Sequence, residues 1–187
     1  AKIAPAASHA LHMPSHIYFA LGMWDKANEL NERSVKAADE RVARKGLGVD
    51  ARNHHALLWL TYSYLQQGRQ ADARAVLNQI EEAAAKSGSV RLRSHLALAR
   101  AAWLVETRKW TDARSAVDPE GLGASATAAD LFAIGMAAFR SGNRPAGNDA
   151  LQRIALLSGD GDRPLRSVTT ARTTAPMSVR STAEASL

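Results

Sequence analysis

A short turn pattern occurs four times along the chain and constrains the fold more than any other feature. Its copies are Gly22-x-Trp24-x-x-Ala27, Gly68-x-Gln70-x-x-Ala73, Arg108-x-Trp110-x-x-Ala113 and Gly142-x-Arg144-x-x-Gly147, with steps of 46, 40 and 34 residues between them. A segment with apolar residues at helical spacing lies before each turn, and another lies after it. The pattern therefore predicts four helix-turn-helix hairpins.

The predicted hairpins occupy residues 8–43, 53–86, 89–117 and 125–157. Their paired helices are predicted at 8–21 and 24–43, 53–67 and 70–86, 89–107 and 110–117, and 125–140 and 144–157. Pro14 lacks a backbone donor, so it should kink the first helix or begin a shorter one. One hairpin cannot bury its apolar face alone, so each should stack on its neighbours. The predicted fold class is all-α: an α-solenoid (α-α superhelix) of about four hairpins over residues 1–157.

The last thirty residues, 158–187, differ in composition from the rest of the chain. Ten of them are Ser or Thr, and large apolar side chains are sparse. Such a segment cannot offset the entropy of ordering by burial, so a flexible Ser/Thr-rich tail is predicted there.

Composition narrows the possible partners and the location of the protein. The net charge of +6 is spread along the chain without a Lys/Arg block interleaved with aromatic residues, so nucleic acid is not an expected partner. No apolar run is long enough for a membrane span, and the absence of cysteine excludes disulfides and thiolate metal ligands. The first residues lack an initiator Met and signal-peptide features, which suggests a piece of a longer chain; a cytoplasmic location is expected.

The recurring turn resembles that of the tetratricopeptide repeat, in which a small residue, Gly, an aromatic residue and Ala recur over about 34 residues. Three segments resemble a group of larger bacterial tetratricopeptide-repeat proteins more closely: His9-Ala-Leu-His-Met-Pro-Ser-His-Ile-Tyr18, His54-His-Ala-Leu-Leu-Trp-Leu-Thr-Tyr62 and Tyr64-Leu-Gln-Gln-Gly-Arg69. The resemblance covers roughly residues 1–115, and members of that group usually extend upstream into a further His-rich stretch. It implies a helical-repeat fold but no particular activity. Arg108, where Gly is usual, and Gly147, where Ala is usual, depart from the pattern.

The same resemblance implies which side chains would face a ligand. In tetratricopeptide stacks the first helix of each hairpin lines a concave groove, and the turns set the register of its positions. The implied groove residues are His9, His12, His16 and Phe19 in the first repeat, His55, Tyr62 and Gln66 in the second, His95 and Glu106 in the third, and Phe132 and Arg140 in the fourth. The primary prediction is therefore a scaffold module that binds a protein or peptide segment in a groove lined by histidine and aromatic side chains.

A metal site is the alternative prediction for the same histidines. His9, His12 and His16 are spaced i, i+3, i+7 and share one stripe of a continuous helix, and a neighbouring helix can bring His55 beside them. Neutral imidazole suits Zn²⁺, Ni²⁺ and Cu²⁺. The histidines can instead simply furnish a polar groove, whose affinity for acidic peptides would rise below about pH 6.5.

The sequence shows no complete catalytic constellation, so an enzyme is not expected, and no cofactor is expected beyond the possible metal. End repeats without polar caps can pair with a second copy of the chain, which makes a homodimer a further expectation. A purely structural spacer within a larger protein stays open as a third interpretation.

Overall fold

The computed structural model describes residues 6–157 and 159. Its regular structure in that part of the chain is entirely helical, which confirms the all-α prediction, and none of its helices is long and apolar enough to cross a bilayer. The predicted tail, 158–187, lies outside the described residues except for Gly159. The α-helices are α1 (Ser8–His12), α2 (Ser15–Ala20), α3 (Trp24–Lys45), α4 (His54–Gln66), α5 (Gln70–Ala85), α6 (Val90–Thr107), α7 (Ala124–Arg140) and α8 (Arg144–Leu157), and short 3₁₀ helices occupy Val49–Ala51 and Trp110–Asp112.

Helices that follow each other along the chain pack together, and α4 to α7 contain a continuous apolar core. α4 contacts α3 and α5 and also lies against α6, while α7 packs between α6 and α8. The sequence of α5 shows how the core forms, because Ala73, Val76, Leu77 and Ile80 recur at helical steps and all are buried. Burying each of the larger side chains stabilises the fold by about 1.5–3 kcal/mol.

The turn residues reverse the chain by adopting the left-handed conformation. Gly68 has a φ of 70°, and the N–H of Arg69 donates to the carbonyl of Tyr64 at 2.8 Å, which caps the end of α4. Glycine adopts this conformation without strain. At the third turn Arg108 adopts it with a φ of 56°. The chain therefore reverses there as well, although the Arg108 side chain adds strain that glycine avoids.

Pro14 divides the first predicted helix into α1 and α2. It has a φ of −65° and stands directly before α2, and its carbonyl accepts a hydrogen bond of 3.2 Å from the N–H of Ile17. At the start of a helix the donor that proline lacks is not needed. Side chains on the two sides of the interruption still lie close together: the ring centroids of His12 on α1 and His16 on α2 are 4.7 Å apart.

The prediction of an α-helix over residues 110–117 is wrong. Only Trp110–Asp112 is helical there, as a single 3₁₀ turn, and the residues that follow are not helical. The N–H of Val117 donates at 2.7 Å to the buried carboxylate of Asp130 on α7. In an α-helix over 110–117 the N–H of Val117 would donate to a carbonyl four residues earlier. Here it donates to Asp130 instead, so a contact with α7 takes the place of the predicted helix.

Candidate functional site

The helix α3 presents a polar face to α1 and to the start of α4. Asn28, Asn31 and Ser34 recur at steps of three residues and are at most 3% exposed. The Ser34 hydroxyl donates to the carbonyl of Ser8 at 2.6 Å, and Asn53, the residue before α4, donates from its side chain to Ser34 Oγ at 2.8 Å. These hydrogen bonds tie α1 to α3 and α4, and they set the histidines of α1 beside those of α4.

Five histidines form a continuous row of rings across α1, α2, α4 and α6, which we call the histidine row. The ring centroid of His12 lies 6.2 Å from that of His9, 4.7 Å from that of His16 and 4.7 Å from that of His55. His95 follows at 5.5 Å from His55. Five of the predicted groove residues, drawn from three predicted repeats, are thus brought together.

Three members of the histidine row lie close enough to share one ion. His12, His16 and His55 each offer a ring nitrogen, and these nitrogens all lie within 4.8 Å of one another. Among the described residues this is the only group of three or more His, Asp or Glu side chains with that property. His9, the fourth predicted ligand, is exposed and lies outside the group. The structure therefore brings together three of the four predicted ligands.

His12 is held with one ring nitrogen free. Its side chain is fully buried, and its Nδ1 lies 2.6 Å from Oδ1 of Asn31. Asn31 uses its amide nitrogen to donate to the carbonyl of Ala27 at 2.8 Å, so its Oδ1 accepts and His12 Nδ1 carries the hydrogen. The lone pair of His12 is then on Nε2, which is buried and has no hydrogen-bond partner among the described residues. A ring that donates from one nitrogen and keeps the other free is arranged as metal-binding histidines are.

His55 differs from His12 because one of its ring nitrogens already accepts a hydrogen bond, which metal binding would break. Trp59, one helical turn later, donates its indole N–H to His55 Nε2 at 3.1 Å. Because indole can only donate, Nε2 holds the lone pair and Nδ1 the hydrogen of the neutral ring. A metal at Nε2 would take the lone pair that Trp59 uses. A metal at Nδ1 would move the hydrogen to Nε2, where it would face the indole N–H, so binding through either nitrogen breaks this hydrogen bond.

Burial keeps several rings of the row neutral near pH 7. It lowers the pKa of His12 against the opposing effect of the Asn31 hydrogen bond. It lowers the pKa of His55 to about 4, and the neighbouring histidines add to the shift. The pKa of His95 is also lowered to about 4, again chiefly by burial. Neutral imidazole is the form that binds metal, so these rings need lose no proton at neutral pH to do so.

Neither a protein-family model, nor a curated protein, nor a solved structure matches this chain.

Four half-buried aromatic rings continue from the histidine row. Phe19 stacks on Trp59 with centroids 4.7 Å apart, and Trp24 lies 6.0 Å from Phe19 and 6.1 Å from Tyr62. Tyr62 is in turn 6.4 Å from Trp59, so the four rings close into a circuit. Trp59 joins this aromatic circuit to the histidine row, because its ring lies 5.0 Å from that of His16.

The remaining predicted groove residues are not part of either group. Gln66 is half-buried at the last residue of α4, whereas Glu106, Phe132 and Arg140 are exposed on α6 and α7. Within the described chain the succession of ring contacts along the histidine row ends at His95. The structure therefore does not bring these four residues into the cluster.

Two residues of the site, Asn31 and Trp59, were not identified as such from the sequence. A signal for Asn31 exists in the three-residue spacing of Asn28, Asn31 and Ser34, which places polar side chains on one face of a long helix. Trp59 lies four residues after His55, and residues at that spacing are neighbours on a helix surface. Neither spacing indicates by itself which atom bonds to which.

Proposed function

We propose that the protein binds a divalent transition metal ion through His12, His16 and His55, with Zn²⁺, Ni²⁺ and Cu²⁺ as the candidates. The observation that carries the proposal is the approach of three ring nitrogens to within 4.8 Å of one another. The free, buried Nε2 of His12 supports it, because buried polar atoms nearly always have a partner. Asn31 supplies the outer hydrogen bond that orients a metal-binding histidine.

Binding requires only a small contraction of the cluster. Zinc bonds to histidine nitrogen at about 2.0–2.1 Å, so tetrahedral ligands stand about 3.3 Å from one another. The three ring nitrogens now lie within 4.8 Å of one another, so side-chain rotations that move each nitrogen by about 1 Å would bring them to that spacing. His16 and His55 are half-buried, whereas His12 is fully buried and held by Asn31, so the movement falls to the first two rings.

The ligand set gives the proposed centre a particular character. Three neutral imidazoles leave the charge of the ion uncompensated and, in a tetrahedral arrangement, leave one position open. An open position suits an exchangeable ligand such as water or an oxyanion. Metal binding also requires His55 to release Trp59, so the aromatic circuit is coupled to the occupancy of the centre.

Metal analysis of protein purified without a His-tag tests the proposal. We expect one equivalent of metal per chain, which is lost on His16→Ala; His12→Ala should have the same effect but also removes a buried side chain. The matched control is His9→Ala, which removes an exposed ring outside the group and should leave the metal content unchanged. Loss of metal in all three variants would point to nonspecific binding by surface imidazole, and absence of metal from wild-type protein after incubation with Zn²⁺ would contradict the proposal.

A second candidate function is the binding of a protein or peptide segment in a tetratricopeptide-like groove. It is favoured by Phe132, an apolar side chain at an implied groove position, which is 51% exposed. Peptides selected from a display library would be measured for affinity against Phe132→Ser. Leu156→Ser is the control, because Leu156 is a 65% exposed apolar residue on α8. Equal affinity for both variants would count against this groove.

A further inference from the structure

A cavity of about 320 Å³ lies beside the histidine row, at the N-terminal ends of α4 and α6. Its wall includes His54, His55, His95 and Arg91, and its volume is that of a small-molecule pocket. We propose that this cavity binds a small molecule through a carboxylate or phosphate group, held by the guanidinium of Arg91. The inference goes beyond the proposed metal centre and does not require metal to be bound, because Arg91 and His54 belong to the cavity alone.

The two arginines of the cavity wall differ in whether their charge is compensated. Arg52 forms two parallel hydrogen bonds with Asp39, at 2.7 and 2.8 Å. Arg91 forms no ion pair with any described residue, and its Nη2 donates only a long bond of 3.3 Å to the carbonyl of Asp50. Its charge is therefore available to a ligand oxyanion, which guanidinium matches with paired hydrogen bonds.

Two histidines of the cavity wall, His54 and His95, each have a buried ring nitrogen without a hydrogen-bond partner among the described residues. His54 is only 4% exposed and donates from Nε2 to the carbonyl of Val49 at 2.9 Å, and its buried Nδ1 has no partner in the described part of the chain. The Nδ1 of His95 is likewise buried and without a partner among the described residues. Because Nε2 of His54 donates, its Nδ1 carries the lone pair of the neutral ring and can only accept a hydrogen bond, so the oxyanion is held by Arg91 and not by this atom. The N-terminal ends of α4 and α6 add partial positive charge to this side of the cavity.

A second metal ion is a poorer occupant of this cavity than an oxyanion. Among the described residues only His12, His16 and His55 bring three ligand atoms together, and of these only His55 lines the cavity. The positive charge of Arg91 also opposes a cation.

Asp50 also lines the cavity and carries the charge that opposes an oxyanion. Its carboxylate accepts a hydrogen bond from the hydroxyl of Ser87, and Asp50 is exposed whereas Ser87 is half-buried. Removing the charge with Asp50→Asn should therefore tighten anion binding, while removing the Arg91 charge should weaken it. A general effect of net charge would act in the same two directions, so a specific site requires both effects to exceed that of Arg41→Gln, a charge change on α3 outside the cavity.

Calorimetric titration of the metal-free full-length chain with inorganic phosphate, and separately with acetate, tests the inference at constant ionic strength. We expect saturable 1:1 binding of at least one of the two anions, weakened by about tenfold or more in Arg91→Gln and partly restored in Arg91→Lys. The control is Arg41→Gln, which removes the same charge from an exposed position on α3. Equal weakening in the control would mean an adventitious ion only, and so would an unchanged affinity in Arg91→Gln; either result overturns the inference.

Imidazole NMR signals locate the bound anion. The signals of His54 and His95, which line the cavity, should shift with the same dependence on anion concentration as the heat of binding. The signal of His16 should not shift. Binding that leaves His54 and His95 unchanged also overturns the inference. The metal proposal is tested independently by His16→Ala. This substitution should abolish metal binding but leave the binding of phosphate or acetate intact.

Discussion

The indole N–H of Trp59 donates to Nε2 of His55, one turn earlier on the same helix, at 3.1 Å. The bond competes with metal binding, because a metal at either nitrogen of His55 displaces it. Trp59→Phe keeps an aromatic ring but removes the donor, so we predict tighter metal binding in the variant. A hydrogen bond of this kind is worth about 0.5–1.5 kcal/mol, which corresponds to roughly two- to tenfold in affinity. Competition against a metal indicator dye measures the change.

The control for this prediction is Trp24→Phe. Trp24 belongs to the same aromatic circuit and contacts Phe19 and Tyr62, but among the described residues its ring does not contact the histidine row. Its replacement should leave metal affinity unchanged. Weaker binding in Trp59→Phe would show that the indole supports the centre rather than competing with it. In wild-type protein, metal binding should also change the fluorescence of Trp59, and this change should be absent in Trp59→Phe.

Asn31 should set the metal affinity although it is not a ligand. Its Oδ1 accepts from His12 Nδ1 at 2.6 Å and so holds the ring with Nε2 free. Asn31→Leu has a similar volume but removes the acceptor, and loss of such an outer hydrogen bond typically weakens metal affinity about 10- to 100-fold. The matched control is Asn28→Leu, an equally buried position on α3 whose amide donates to Gln67 instead. Equal metal affinity in the two variants, with folding verified by circular dichroism, would show that His12 needs no such support.

The histidine row should make the metal-free fold sensitive to acid. Burial lowers the pKa of His55 and His95 to about 4, below the value near 6.5 that they have in the unfolded chain. Below pH 6.5 the unfolded state therefore binds more protons, so the stabilisation is complete above pH 6.5 and is lost as the pH falls towards 4. The free energy of unfolding in urea, measured between pH 7.5 and 5, should decrease. In His95→Gln the decrease should be shallower, and an identical pH dependence would exclude a contribution from this ring.

The sequence predicts the framework of the site because turn chemistry and helical spacing are local properties. Gly68 marks a reversal by its conformational freedom, and the same register puts His12, His16 and His55 on facing helices. At Arg108, where the pattern has glycine, the chain still reverses its direction. The left-handed conformation of one non-glycine residue costs only about 1–2 kcal/mol, which is less than the packing of two helices contributes.

The features that the sequence did not predict depend on contacts between distant segments. The helix expected over 110–117 has suitable local residues but is replaced by the bond between Val117 and Asp130, which only the position of α7 makes possible. The role of Asn31 also depends on a distant contact. Asn31 is nineteen positions from His12 in sequence, and the two residues meet only because α1 lies against α3. His9 is a predicted ligand because it shares a helix stripe with His12, but it is exposed and its ring nitrogens lie outside the group of His12, His16 and His55.

Gly147 stands where the repeat pattern has alanine, and the packing of Phe139 explains the difference. A Cβ atom at Gly147 would lie 2.6 Å from the Phe139 ring. Helix propensity alone would make Gly147→Ala stabilising by about 1 kcal/mol, but the displaced ring costs about 1–3 kcal/mol. We predict a net loss of stability in urea unfolding. In a Phe139→Ala background the clash is absent, so there the same substitution should stabilise; a stabilising effect in the wild-type background would mean that the ring moves freely.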